Sequence, residues 1–158
     1  VTSKKQRVAN DLSPTRGADN SSLIRRHLVF GWLGLVVFMS LGLALEVLHG
    51  LKIDYYLDLR NSTRRLLWTL AHTHGTVFSL VNIAFAWTLT QLVHGSLLPW
   101  ASIALLTAQW IMPLGFFAGG IWLLSGDPGY GILLAPVGGV FIILGAAIVL
   151  LRLLAESR

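Results

Sequence analysis

Cysteine is absent from this 158-residue chain, which excludes disulfides, iron–sulfur clusters and thiolate metal sites within it and leaves the redox compartment unread. Charge is scarce too: Asp, Glu, Lys and Arg make up 12% of the residues, against 54% hydrophobic. Soluble domains carry about 25% charged residues. Here the apolar residues also come in blocks rather than at helical spacing, which is the pattern of membrane spans. The common enzyme signatures are missing, with no P-loop, no G-x-S-x-G and no H-E-x-x-H. No basic patch interleaved with aromatics occurs either, so the net charge of +5 reads as membrane topology and not as a nucleic-acid surface.

What is present is four long apolar blocks, at residues 28–48, 66–93, 100–124 and 130–151. Each reaches the ~20 residues that a helix needs to cross a bilayer. A loop at 50–65 and tight turns at 94–99 and 125–129 join them, so neighbouring helices must lie antiparallel. The expected fold is an all-α polytopic membrane protein: an antiparallel bundle of four transmembrane helices over residues 27–153. A disordered basic tail would precede it at 1–26 and a short tail follow at 154–158. The first block is too long for a signal peptide and no small-residue cleavage site follows it.

Of the twelve Lys and Arg residues, eight (Lys4, Lys5, Arg7, Arg16, Arg25, Arg26, Arg152, Arg158) fall on one side of this layout and four (Lys52, Arg60, Arg64, Arg65) on the other. The positive-inside rule then places both termini in the cytoplasm and the 50–65 loop outside an inner membrane. The expected partners are the lipid bilayer and other membrane subunits or further copies of the chain, with no nucleic acid. Gly115, Gly119 and Gly120 on the third block and Gly138, Gly139, Gly145 and Ala146 on the fourth predict close approach of those two helices. Pro113 and Pro136 are expected to kink them. Trp100 and Trp122 read as interface anchors, and Asn82 and Gln109 as interhelical hydrogen-bonding groups.

Ionisable side chains inside such blocks are costly and default to a functional reading. His72-Thr73-His74 lies within the second block, about 9 to 12 Å from its start. Residues two apart on a helix point about 200° apart, so these histidines must face different things. His72 shares a face with Trp68, Thr69, Thr76 and Ser79, whereas His74 shares one with Leu70, Phe78 and Phe85. On the first block, Glu46 and His49 are three apart and share a face, and antiparallel packing brings His49 level with His72.

The cluster therefore suggests a haem b or a transition metal held by His49, His72 and His74, with Glu46 orienting an imidazole or ligating the metal. Arg60, Arg64 and Arg65 lie at the same surface, placed to pair with haem propionates or lipid phosphates. His27 and His94 stand 22 positions from His49 and His72 respectively, about 33 Å along a helix. Both read as ordinary interfacial residues.

The pattern Glu46-x-x-His49 followed by Arg64-Arg65-x-x-Trp68-x-x-Ala71-His72-Thr73-His74-Gly75-Thr76 resembles a family of small bacterial four-span membrane proteins. The segments Pro113-Leu114-Gly115-Phe116-Phe117 and Gly126-Asp127-Pro128-Gly129 extend the resemblance over residues 27–152. That family implies a fold and no assigned activity. More locally, His72-Thr73-His74 resembles the H-x-H of the haem–copper oxidase catalytic subunit, where two histidines serve different metal centres from opposite faces of one helix. The chain has far fewer spans and histidines than such an oxidase, so the resemblance implies no oxygen reduction by this chain alone. Three functions stay open at this level. The first is a haem- or metal-binding electron-transfer or cofactor-handling subunit, the second a structural or assembly subunit, and the third a small proton or metal-ion transporter.

Overall fold

A computed structural model of the chain describes residues 20–58, 62–93 and 95–156. Four α-helices account for most of them: α1 (Ser21–Gly50), α2 (Thr63–Leu89), α3 (Leu98–Ile121) and α4 (Leu134–Glu156), the last entered through a short 3-10 turn at Tyr130–Leu133. The chain is thus an all-α four-helix bundle. Helices α1, α3 and the 3-10/α4 unit (Tyr130–Glu156) are each long and apolar enough to cross a membrane. Helix α2 falls short of that apolarity because it carries His72, Thr73, His74, Thr76, Ser79 and Asn82. It also sits in the middle, packed against α1 on one side and α3 on the other.

The helices follow one another in space as they do in sequence. α1 packs on α2, α2 on α3 and α3 on α4, with only a light contact between α1 and α3. Among the described residues, α1 and α4 do not meet. The two ends of the bundle are fastened differently. At one end Leu89, Leu92, Leu98 and Leu105 form a fully buried cluster, and Asn20 Nδ2 donates to the carbonyls of Leu89 and Leu92 at 3.2 Å each. At the other, Trp68 stacks between Tyr56 and Phe117 and its indole N–H donates to Phe117 O at 3.1 Å.

Small residues set the α3–α4 distance. A Cβ on Gly138 would lie 2.7 Å from the backbone nitrogen of Met112, and one on Gly115 would lie 2.7 Å from that of Ala135. The expected close approach of these helices therefore holds, with two changes of detail. Gly120 faces Trp68 of α2, and Gly139 is nearly open, with Met112 Cε 3.6 Å from its would-be Cβ. Pro136 stands in the first turn of α4, where no helical N–H bond is lost. Pro113 is inside α3 and buried, and its ring removes the hydrogen bond that Gln109 C=O would otherwise accept.

α1 begins at Ser21, six residues inside the segment expected to be a disordered tail. Lys4, Lys5, Arg7, Arg16, Arg60, His94 and Arg158, on which expectations were placed, lie outside the described residues. Trp100 and Trp122, read as interface anchors, are both exposed at helix ends.

Candidate functional site

The most buried polar groups form a seam joining α1, α2 and α3. His27, Ser79, Asn82 and Gln109 are fully buried, and Ser102 is nearly so. Asn82 Nδ2 donates to Phe78 O in its own helix and to Leu105 O of α3, at 2.9 and 3.3 Å. Its Oδ1 is therefore the acceptor toward His27, whose Nδ1–H donates to it at 2.6 Å. The other ring nitrogen meets Ser102 Oγ at 2.8 Å. With the proton on Nδ1, Ser102 donates to Nε2 and every polar atom of the imidazole is satisfied. The ring also sits edge-on to Phe85, centroids 4.7 Å apart. Below it, Gln109 Nε2 donates to Phe30 O at 2.8 Å, while Gln109 Oε1 has no partner. Gly34 makes room here, since a Cβ on it would collide with Gln109 Nε2 and Ser79 Oγ.

The residues singled out for chemistry lie at the other end of the bundle, where α1 finishes and α2 starts. A cavity of about 360 Å³ is lined by Met39, Gly42, Leu43, Leu45, Glu46, His49, Tyr56, Thr69 and His72. A second, of about 410 Å³, is lined by His49, Tyr56, Ser62, Arg65, Leu66 and Thr69, and so adjoins the first. Glu46, His49 and His72 thus do share one space, as antiparallel packing required. His72 leans on Gly42, and its Nδ1–H donates to Phe38 O at 2.7 Å.

Ligation is where the expectation fails. Among the described residues no group of three or more His, Cys, Asp or Glu is placed to hold a metal ion. The physical reasons are local. His72 spends Nδ1 on a backbone carbonyl of α1. His49 is exposed at the helix end. His74 points away from both: its Nδ1–H donates to Leu70 O at 2.9 Å, and its ring packs against Phe78 and Phe116, with centroids 5.9 and 5.1 Å away. His72 and His74 face different neighbours as the two-residue spacing demanded, but those neighbours are α1 and α3. The haem b or transition-metal site expected at His49, His72, His74 and Glu46 is therefore overturned, and with it the electron-transfer and cofactor-handling readings.

Of the arginines, Arg64 is occupied. Its Nε donates to Gly120 O at 2.9 Å, its Nη1 to Tyr55 O at 2.7 Å, and its guanidinium lies 3.8 Å over the Tyr55 ring. That ties α2 to the end of α3 and to Tyr55 in the connection that precedes α2. Arg65, its neighbour, lines the second cavity and makes no hydrogen bond or ion pair with any other described residue.

The seam's histidine escaped the sequence reading, which placed His27 at the interface beside Arg25-Arg26. A signal existed. His27, Gly31, Gly34, Phe38 and Leu45 recur at helical spacing and mark one buried face. No family model, curated protein or solved structure matches the chain, so both resemblances rest on the quoted residues alone.

Proposed function

We propose that this chain is an integral membrane protein of the inner membrane, that all four helices cross the bilayer, and that both chain ends are cytoplasmic. Its role is architectural, as a subunit that positions other membrane helices or copies of itself. The observation that carries this reading is how the polar groups are spent. In hydrocarbon a polar side chain must find a protein partner, and His27, Asn82, Ser102 and the Nε2 of Gln109 find theirs on neighbouring helices. They are sealed inside, at 0 to 1% exposure, and do not line a path. Outward, α4 buries only Ala135, Gly138 and Gly145 and presents Val137, Val140, Leu144 and Leu151.

Helix α2 fits a membrane despite its polarity because α1 and α3 shield it from lipid on two sides. The orientation rests on charge: Arg25, Arg26 and Arg152 stand at the end that carries Asn20 and Val93. The test is chemical crosslinking in native membranes followed by native electrophoresis in mild detergent. The chain is expected in a defined assembly well above its own 17.3 kDa. A lone, uncrosslinked chain at native expression level would refute the architectural role.

A further inference from the structure

The two adjoining cavities between α1 and α2 hold charges that pair with none of the described residues. Glu46 borders one and Arg65 the other, and both cavities share His49, Tyr56 and Thr69. Among the described residues the single ion pair is Arg152–Glu156, at the far end of the bundle. Glu46 and Arg65 face one cleft from opposite helices, yet no nitrogen–oxygen pair between them comes within 4.0 Å. A carboxylate and a guanidinium held apart in this way match a ligand that carries both signs itself.

We infer that this cleft binds the headgroup of a zwitterionic aminophospholipid, with the phosphate toward Arg65 and the primary ammonium toward Glu46. Around Arg65, the hydroxyls of Ser62 and Thr69 supply neutral donors for phosphate oxygens. About one turn inward of Glu46, His72 lies against Gly42 in the same cavity and adds an acceptor, because its proton is committed to Phe38 O and Nε2 keeps a lone pair. An ammonium with N–H donors satisfies both acceptors, which a quaternary ammonium cannot do. Tyr56 forms a fixed wall, buried and stacked on Trp68.

The rest of the cleft is shaped for a chain. Its α1 side runs from His49 inward to Met39, about 15 Å at 1.5 Å per residue; Leu45 stands beside Glu46, and the inner part is lined by Met39 and Leu43 with the His72 ring against Gly42. Charged groups at the mouth and, apart from the His72 ring, aliphatic ones below follow the polarity gradient of a lipid entering from the headgroup layer. A soluble zwitterion would gain nothing from that apolar floor. The volumes of about 360 and 410 Å³ lie within the ~300–1,000 Å³ common for small-ligand sites.

The site needs the membrane reading but not the architectural role, and the two fail separately, since lipid selectivity is measured on the purified chain alone. The experiment is native mass spectrometry of the full chain from detergent micelles doped with equal phosphatidylethanolamine, phosphatidylcholine and phosphatidylglycerol. Wild type is expected to retain one phosphatidylethanolamine in preference to the others. Glu46→Gln should erase its advantage over phosphatidylcholine, and Arg65→Gln should weaken all phospholipid adducts about tenfold. Arg26→Gln, at the opposite end, should change neither and serves with elution volume as the folding control. Equal retention of the three lipids, or a preference untouched by Glu46→Gln and Arg65→Gln in folded protein, would overturn the assignment. Displacement of the adduct by soluble phosphoethanolamine would overturn the lipid source.

Discussion

Breaking the His27–Asn82 bond is the sharpest perturbation the packing offers. At 2.6 Å it is short, it is fully buried, and it joins α1 to α2 through residues 55 apart in sequence. Truncating Asn82 to Ala removes the acceptor and strands the His27 N–H in a dry seam, for which about 1–3 kcal/mol is the usual cost. It also removes the longer, 3.3 Å bond to Leu105 O. Interhelical hydrogen bonds in membranes average about 0.6 kcal/mol and reach about 1.7. The short distance and complete burial put this pair toward the upper figure. A double-mutant cycle on His27→Ala and Asn82→Ala, followed by denaturant unfolding in mixed micelles, should therefore return a coupling of about 1–1.7 kcal/mol. The cycle cancels the loss of Ser102 and Phe85 contacts that His27→Ala also brings. A coupling below about 0.3 kcal/mol, the additivity limit for independent sites, would refute the claim that the pair holds α1 to α2.

Other substitutions separate tight contacts from loose ones. Gly138→Ala should cost about 1–3 kcal/mol by driving a methyl onto the Met112 backbone, while Gly139→Ala, one residue on, should leave unfolding almost unchanged. His72→Ala should destabilise by less than Asn82→Ala, since it loses one bond to a carbonyl already in the α1 ladder and sits half-buried; equal losses would contradict the ranking. Arg64→Gln should loosen the 50–63 connection, read as faster amide exchange at Tyr55 and Tyr56, because both guanidinium bonds and the stacking on Tyr55 disappear.

Apolar block length was enough to place the four helices, although only α1, α3 and the 3-10/α4 unit are long and apolar enough to cross a membrane and the polar groups of α2 hold it below that level. Helix ends moved by a few residues: α1 extends back to Ser21 and α4 on to Glu156. Spacing also gave directions correctly. His72 and His74 diverge, and Glu46, His49 and His72 do meet in one cavity. Spacing could not give distance or partner. Whether His72 Nδ1 finds a metal or the Phe38 carbonyl depends on how far α1 stands from α2, which Gly42 decides by letting the imidazole against the backbone. His27 was misread for a related reason. Its neighbours in sequence are Arg25 and Arg26, but on the helix it belongs with Gly31, Gly34 and Phe38, facing Asn82 and Ser102.

The absence of cysteine makes one measurement direct. Single cysteines at Ser22, Ser62, Ser96 and Ser125, all exposed positions at helix ends and connections, can be probed in intact cells with a membrane-impermeant maleimide. Four crossings with both ends inside require labelling at 62 and 125 from outside, and at 22 and 96 only after permeabilisation. Labelling of positions 62 and 96 from the same side would mean that α2 does not cross, and the membrane-bundle account would be wrong.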